Sequence, residues 1–342
     1  MLAILADDLT GALDSAAPFA GRGLRTEIAL DQNAIHRIVA DRPDVISINL
    51  NTREISEDEA RTATADVIAL LPPGTKLFKK VDSRLKGNIA AELDAIPFTR
   101  ALVAPAIPEF GRIVENGHVT GFGIDTAIII AERLGDHAKS AVSPDTRSSA
   151  DMDAVLLAAD TDGTDLLIGA RGLAEALARR MTEKPDAQAA TIPTGSATFV
   201  IGSRDPITLA QIDALRNGTT LHYLPAPNGQ LATSPVADAQ LTLVQATPGA
   251  TDVSPQTVAD ALADGLRENL SGSNGTLLLS GGATAEAVLR GLGFSRLRLH
   301  GECLPGLGLA SANGRCIIAK SGGFGQPDTL KTIAEMILRK AG

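Results

Sequence analysis

The chain has few of the side chains that usually fill a large core. Of its 342 residues, 3% are aromatic and none is tryptophan, although 44% are hydrophobic. The core must therefore be built from Ala, Leu, Ile and Val, which suits helices packed on parallel strands. No apolar run reaches the roughly 18 residues that a membrane-spanning helix needs. We therefore expect neither a transmembrane helix nor a membrane partner.

The chain also has only two cysteines and no net positive charge. Cys303 and Cys316 are too few for a disulfide framework and lack C-x-x-C spacing, which favours a reducing, cytoplasmic location. The chain begins on an apolar strand with no basic region or cleavage site, so we expect no export signal. The five histidines show no H-x-x-x-H spacing, which predicts no built-in metal site. The net charge of −9 argues against a nucleic-acid partner.

Short apolar runs alternate with segments of helical periodicity along the whole chain, which is the pattern of an α/β protein. A chain of 342 residues is long enough for two domains, and a polar, proline-containing stretch at 182–195 predicts the boundary. We predict two domains, 1–190 and 196–342, each a mainly parallel sheet flanked by helices. Predicted strands include 2–5, 26–30, 44–50, 76–81, 198–203 and 240–246, with one more inside 152–167.

Two adjacent carboxylates, Asp7 and Asp8, follow the first predicted strand. Burying two carboxylates together is costly, so one of them should meet a cation, a hydroxyl or a backbone donor. Thr10 is the expected N-cap of the following helix. Two interpretations stay open at this point: the pair holds sugar hydroxyls or a catalytic proton, or one member merely caps the helix.

Two further polar clusters follow predicted strands in the same half. Arg53 comes just after the strand at 44–50, where it is either a surface residue or a fork for a carboxylate. The segment 79–88, KKVDSRLKGN, crowds charges of both signs at the end of the next strand. Nearby cations favour the ionised form of Asp82. This arrangement suits a carboxylate that orients a hydroxyl, beside cations for an acidic substrate.

Glycine-rich loops follow apolar runs in the second half of the chain. The stretch 277–285 passes from a strand through two glycines into a helix, where unpaired N–H groups and the helix dipole favour an anion. An ordinary tight turn would use the same glycines. Similar loops occur at 201–204, 301–308 and 320–325. Because α/β sheets bind ligands at the carboxyl ends of their strands, we expect these loops to gather there.

These motifs, taken in order, resemble those of the four-carbon acid sugar kinases, ATP-dependent enzymes that phosphorylate threonate, erythronate or 3-oxo-tetronate. The resemblance runs through nearly the whole chain and implies an N-terminal acid-sugar-binding domain and a C-terminal nucleotide-binding domain, with the active site in the cleft between them. The motifs that carry it are ADDLTGALDSA, KKVDSRLKGN, APAIPEFGR, AADTDGTDL, SGGATA, GECLPG and KSGGFG.

The resemblance also implies a set of site residues, with ATP and its Mg²⁺ as cofactors and a small sugar acid as substrate. A carboxylate would accept the proton of the attacking hydroxyl, and the sequence does not decide which; a homodimer is left open. The catalytic candidates are Asp82, Asp8 and Asp7, and the substrate-binding candidates are Arg53, Lys80, Ser83, Lys86 and Gly87. The nucleotide-binding candidates are Ser203, Gly281, Gly282, Ala283, Thr284, Gly306, Lys320, Gly322 and Gly325.

The chain departs from the family pattern at a few places. Lys86 stands where the family usually has arginine, Ala283 stands where it has an acidic residue, and a His-Pro-x-Thr-Pro segment is not recognisable between Thr120 and Ser149. We still expect nucleotide binding and kinase activity despite these departures, but the sequence no longer indicates which acid is the substrate.

Two other functions are alternatives to the kinase. A dinucleotide-dependent oxidoreductase is disfavoured because no strand is followed by G-x-G-x-x-G with an acidic residue about 20 positions later. A non-catalytic sugar-acid sensor is suggested by Ala283 and the missing segment. Retention of Asp7, Asp8 and the 320–325 loop argues against it.

Overall fold

The computed structural model describes residues 1–232, 239–271 and 274–339. The chain forms two compact units, Met1–Gln188 and Ala189–Gly342. This division falls inside the polar stretch 182–195. Among the described residues, no helix combines the length and the apolar character needed to cross a bilayer.

The first unit is built on parallel strands with helices between them. Its strands are β1 (Leu2–Ala6), β2 (Thr26–Ala29), β3 (Val45–Asn49), β4 (Lys76–Lys80), β5 (Ala101–Ala104), β6 (Arg112–Glu115), β7 (His118–Gly121), β8 (Ile128–Ile129), β9 (Ala141–Val142) and β10 (Leu166–Gly169). Its helices are α1 (Leu9–Gly21), α2 (Ile35–Ala40), α3 (Glu57–Leu70), α4 (Ile89–Leu93), α5 (Ile130–Leu134), α6 (Ser149–Thr161) and α7 (Arg171–Thr182).

Seven strands of this unit lie in the order β2-β3-β1-β4-β10-β5-β9, and each neighbouring pair is parallel. All five residues of β1 are buried, as expected for a strand that helices cover on both faces. Because the strands are parallel, their carboxyl ends share one edge. The segments that follow β1, β3 and β4 therefore start close together.

A small antiparallel sheet of β6, β7 and β8 was not foreseen from the sequence. Its first hairpin turns at Asn116 and Gly117, both at positive φ, as a tight hairpin turn requires. The sheet matters for the site because its first residue is Arg112.

The second unit repeats the parallel pattern and adds an antiparallel edge. Its strands are β11 (Ala197–Ile201), β12 (His222–Pro227), β13 (Leu241–Thr247), β14 (Thr276–Ser280), β15 (Arg296–Leu304), β16 (Leu307–Ala312) and β17 (Arg315–Lys320). Its helices are α8 (Pro206–Gly218), α9 (Pro255–Ser271), α10 (Gly282–Gly291) and α11 (Thr329–Leu338). The strand order is β12-β13-β11-β14-β17-β16-β15, in which the pairs up to β17 are parallel and the last two are antiparallel.

The predicted α/β class with mainly parallel strands is confirmed, and three local predictions are corrected. The apolar run after Met152 is helix α6 and not a strand, because Ser148 and Asp151 form a capping box that starts a helix there. Helix α1 is capped by Asp8 and not by Thr10. The segment 301–308, predicted as a loop, is the hairpin of β15 and β16. Strand β12 was not predicted.

Candidate active site

The polar residues of the first unit meet because three neighbouring strands end in register. Ala6 at the end of β1 lies beside Asn49 at the end of β3 and beside Lys80 at the end of β4. Asp7 follows directly on β1. The sequence alone placed these residues at strand ends, and the strand order brings them to the same spot.

Arg53 forms a two-pronged ion pair with Asp7. Its Nε donates to Oδ2 of Asp7 at 2.7 Å, and its Nη2 donates to Oδ1 at 3.0 Å. Its Nη1 donates to Oδ2 of Asp8 at 2.6 Å. The predicted fork therefore holds carboxylates of the chain itself, and Arg53 is not the surface residue of the alternative interpretation.

Asp8 is held by the start of α1 as well as by Arg53. Its Oδ1 accepts from the backbone N of Gly11 at 2.7 Å, and its Oδ2 accepts from the hydroxyl of Thr10 at 2.8 Å. Both oxygens of Asp8 are thus engaged. As expected from the cost of burying two acids together, each carboxylate of the pair has found a donor.

The charges around Asp7 keep it ionised. Burial, with the residue 2% exposed, would raise the pKa of Asp7, but Lys79, the hydrogen bond from Arg53 and Lys80 outweigh burial and lower it. Burial also opposes the charged form of Arg53, yet the bond to Asp7 and the charges of Asp8 and Asp82 raise the pKa of the guanidinium. Asp7 and Arg53 are therefore both charged at neutral pH.

A buried ion pair lies next to the cluster of Asp7, Asp8 and Arg53. Nζ of Lys79 lies 2.9 Å from Oε2 of Glu92, and both side chains are almost completely buried. The other oxygen of Glu92 accepts from the hydroxyl of Thr52, whose neighbour in the chain is Arg53. Asn88 donates to the carbonyl of Thr52 at 2.8 Å. This network fixes the backbone from which Arg53 extends.

Lys80 is a buried cation next to the acidic pair. It is 5% exposed, and its Nζ forms no hydrogen bond or ion pair within the described ranges. A Cβ on Gly11 would lie 2.9 Å from this Nζ and 2.6 Å from Oδ1 of Asp8, so only glycine leaves room here. The hydrogens of Lys80 are therefore available to a ligand.

The loop after β4 brings Asp82, Ser83 and Gly87 to the same edge. Oδ1 of Asp82 accepts from the backbone N of Arg84 at 2.8 Å. Gly87, at φ +90°, approaches so closely that a Cβ on it would lie 3.1 Å from Oδ2 of Asp7. The structure thus brings together every predicted residue of this segment except Lys86, which is exposed.

Arg112 belongs to this site and was missed as a site residue. Its Nη1 donates to the hydroxyl of Ser83, and its Nε and Nη2 donate to the carbonyl of Phe122 at 3.3 and 3.0 Å. The signal in the sequence was the motif APAIPEFGR, which ends on this arginine. Only the hairpin of β6 and β7 shows where the side chain goes.

The second unit gathers its glycine loops in the same way. Ile201 at the end of β11 lies beside Ser280 at the end of β14, which lies beside Lys320 at the end of β17. A Cβ on Gly202 would lie 1.8 Å from the hydroxyl of Thr284, and a Cβ on Gly322 would lie 2.3 Å from the hydroxyl of Ser203. The loops after these three strands therefore touch one another.

Helix α10 starts at this junction with open backbone donors. Its N-cap is Gly281, at φ +104°, and no side chain caps it. Gly282 and Ala283 form the first turn of the helix, and the Ala283 side chain is exposed. An uncapped helix start is favourable for a phosphate.

Lys320 secures the loop that follows it. Its Nζ donates to the hydroxyl of Thr208 at 3.1 Å and to the carbonyls of Ser321 and Gly322 at 3.0 and 3.2 Å. Burial lowers the pKa of Lys320 to about 8, with Asp205 opposing the shift. Lys320 thus lies at the predicted place, with all three of its hydrogens used by the protein.

The remaining predicted glycines pack this loop. A Cβ on Gly306 would lie 2.6 Å from the ring of Phe324, and a Cβ on Gly325 would lie 2.6 Å from the hydroxyl of Thr329. Gln211 donates to the carbonyls of Phe324 and Gln326. The turn of the β15–β16 hairpin and the loop 321–326 therefore support each other.

The donor set suits a metal that arrives with a nucleotide and not a metal held by protein alone. Within the part of the chain that the structure describes, no three His, Cys, Asp or Glu side chains are grouped for metal binding. Mg²⁺ usually takes one or two carboxylates together with phosphate oxygens and water. One carboxylate at these loops is Asp205, whose Oδ2 lies 3.5 Å from the position of a Cβ on Gly323.

Comparison with known proteins assigns both units to one family. Residues 2–126 match the family model described as the sugar-binding N-terminal domain, and residues 230–330 match the nucleotide-binding C-terminal domain. Relatives of the chain carry the names D-threonate kinase, D-erythronate kinase and 3-oxo-tetronate kinase. The chain belongs to the four-carbon acid sugar kinase family.

Members of this family match the chain over different lengths. A D-threonate kinase of Salmonella typhimurium is 36% identical over 123 residues, which cover 33% of this chain and only 28% of the relative. A D-threonate kinase of Cupriavidus necator is 27% identical over 399 residues, covering 96% of this chain and 95% of the relative. The more similar match thus spans little more than a quarter of that kinase.

A solved structure shares the fold. A Haemophilus influenzae protein superposes with a TM-score of 0.71 at 19% sequence identity, covering 98% of this chain and 100% of that one. At 19% identity this similarity shows only that the chain has the same fold, and it carries no information about the ligands of the chain.

Proposed function

We propose that the protein is an ATP-dependent kinase that phosphorylates a hydroxyl of a four-carbon sugar acid. The observation that carries this proposal is the convergence of three glycine loops at the ends of β11, β14 and β17. Phosphoryl transfer is catalysed mainly by positioning and by neutralising charge on the phosphate oxygens. A junction of close-packed glycines with open backbone N–H groups supplies both.

The second unit takes the nucleotide in this proposal. The uncapped start of α10 offers backbone donors to the phosphates. The loops at Ser203 and 321–325 pack beside this helix start. The positive charge of Lys320 acts on the phosphates through the loop that it holds. Asp205 would hold the Mg²⁺ of the nucleotide, and Mg²⁺ supplies charge neutralisation between the phosphate groups when it is bound.

The first unit takes the acid. Asp82 is the carboxylate best placed to accept the hydroxyl proton, because its Oδ2 accepts no hydrogen bond among the described residues, whereas both oxygens of Asp7 and of Asp8 are occupied. The open hydrogens of Lys80 would hold a hydroxyl oxygen of the acid. The location of the active site between the two units stays a prediction.

We propose that the reaction takes place in the cytoplasm. Cys303 and Cys316 are both free thiols, which fits a reducing compartment. ATP is also available there.

The test is an ADP-release assay over a panel of four-carbon acids. The purified chain is mixed with ATP, Mg²⁺ and each of D-threonate, D-erythronate and a 3-oxo-tetronate, and the phosphorylated acid is identified by mass spectrometry. We expect one or two acids to be turned over well above the others. The neutral four-carbon polyols threitol and erythritol serve as matched substrates without a carboxylate.

Two results would contradict the proposal. Tight binding of an acid without ADP release under any condition would favour the non-catalytic sensor. Equal turnover of acids and polyols would show that the enzyme does not select for a carboxylate.

A further inference from the structure

Arg53, the cation that the sequence suggested for the substrate carboxylate, is already paired with acids of the chain. All three nitrogen atoms of its guanidinium donate to Asp7 or Asp8. A substrate carboxylate that approached this pair would also face the two acids. The anchor for a carboxylate must therefore be sought elsewhere at the same edge.

Two other arginines lie close together beside Ser83. A Cβ on Gly123 would lie 2.7 Å from Nη2 of Arg84 and 3.4 Å from Nη2 of Arg112, so both guanidinium groups approach the same point. Gly123 is at φ +72°, where glycine is the residue without strain. The lack of a side chain at this position leaves the space that the two arginines share.

No acidic residue neutralises this pair by contact. Neither Arg84 nor Arg112 forms an ion pair within the residues that the structure describes. Burial and the charge of Arg84 lower the pKa of Arg112, with Asp82 opposing. Two like charges that face each other in this way attract an anion, and guanidinium groups match the two oxygens of a carboxylate.

The arginine pair lies beside the loop that carries Asp82, which is close enough for one short acid to reach both. Ser83, which accepts from Arg112, directly follows Asp82 in the chain, and Gly87 at the other end of the same loop packs against Asp7. A short acid could place its carboxylate at the arginines and a hydroxyl near Asp82.

We propose that Arg84 and Arg112 together bind the carboxylate of the substrate and so select acids over neutral sugars. This inference rests on the proposed function. It assigns the selection to residues other than Arg53 and Lys86, which the sequence pattern favoured. Arg84 provides an exposed guanidinium, and Arg112 provides one that Phe122 and Ser83 hold in place.

The test compares Arg84→Gln and Arg112→Gln with Lys86→Gln from the same loop and with Arg61→Gln, an exposed arginine of α3 paired with Asp58 and Asp94. KM and kcat are measured for the acid preferred by the wild type, and binding of the acid without nucleotide is measured by calorimetry. Losing a charge-assisted hydrogen bond costs about tenfold to a hundredfold in affinity. We expect Arg84→Gln and Arg112→Gln each to raise KM for the acid by that factor with a smaller change in kcat.

The control variants and the neutral polyols separate this role from a structural one. Arg61→Gln should keep the wild-type KM, and any residual turnover of erythritol or threitol should be unchanged in Arg84→Gln. Arg112→Gln is to be checked by its melting temperature. If it fails to fold, Arg84→Gln decides alone, because the Arg84 guanidinium forms no hydrogen bond or ion pair with the described residues.

The outcomes distinguish the subsite from the kinase activity. Acid binding that depends on both arginines without ADP release would uphold the subsite and refute the kinase proposal. Kinase activity with an unchanged KM in both arginine variants, or a raised KM in Lys86→Gln alone, would overturn the subsite. A wild-type chain that binds no four-carbon acid would overturn both.

Discussion

Arg53 and Asp7, 46 positions apart in the chain, are joined by two parallel hydrogen bonds of 2.7 and 3.0 Å. The pair places one buried carboxylate and one guanidinium directly after neighbouring strands. Fork-to-fork geometry of this kind fixes orientation as well as distance. Arg53 therefore organises the acidic pair, and its loss should affect catalysis more than a simple binding contact would.

Arg53→Ala should lower kcat/KM by about tenfold to a hundredfold, the equivalent of a charge-assisted bond. The physical reason is that Asp7 and Asp8 lose the cation that bridges them, offsets their mutual repulsion and holds them in place. The measurement is steady-state kinetics on the preferred acid, with Arg61→Ala as the exposed control. Kinetics equal to the wild type would return Arg53 to a purely structural role.

Asp82→Asn should lower kcat by about 10²–10⁴, the usual contribution of a general base. The amide keeps the shape of the side chain but no longer takes up the proton of the attacking hydroxyl. ATP affinity, measured by nucleotide titration of the same variant, should change little because the nucleotide is proposed to bind the other unit. The base would instead be Asp8 if Asp8→Asn abolished turnover while Asp82→Asn kept it.

ADP affinity should fall as the pH rises above about 8. Burial lowers the pKa of Lys320 to about 8 in the free protein, and a nearby phosphate favours the charged form. Below pH 8 the lysine is already protonated, so affinity is constant there; above it, binding must take up a proton. Calorimetry in two buffers of different ionisation enthalpy should reveal this proton uptake near pH 9.

Lys320→Arg is the matched control for the pH dependence, because an arginine stays charged throughout this range. Its ADP affinity should be flat between pH 7.5 and 9.5. A flat profile in the wild-type protein would show that Lys320 is not coupled to the phosphates.

Gly202→Ala should weaken nucleotide binding and lower the melting temperature, whereas Gly323→Ala should do neither. The added methyl group at 202 would lie 1.8 Å from the Thr284 hydroxyl, but at 323 it would meet only an ordinary contact of 3.5 Å with Asp205. Overpacking of this kind costs about 1–3 kcal/mol. Thermal unfolding with and without ADP measures both effects. Equal behaviour of the two variants would mean that the loops do not need to touch.

Much of the local structure could be predicted from the sequence because its causes are local. Ser56 and Glu59 have the S-x-x-E spacing of a capping box, and they form that box at the start of α3. The apolar strand predicted at 44–50 is β3, Val45–Asn49. The run after Met152 shows the limit of this reasoning. Its alanines and leucines suit a strand or a helix by hydrophobicity alone, and the cap at Ser148 decided for a helix.

The sequence by itself determined which residues stand at strand ends: the acids after β1, Arg53 after β3, and the glycines after β11 and β14. Only the tertiary structure decided their partners. The order of the strands put Arg53 on Asp7, and the β6–β7 hairpin carried Arg112 to Ser83 from 29 positions away. Strand patterns depend on neighbours along the chain, but hydrogen bonds between distant residues depend on which strands lie side by side. That information is set by packing of the whole unit.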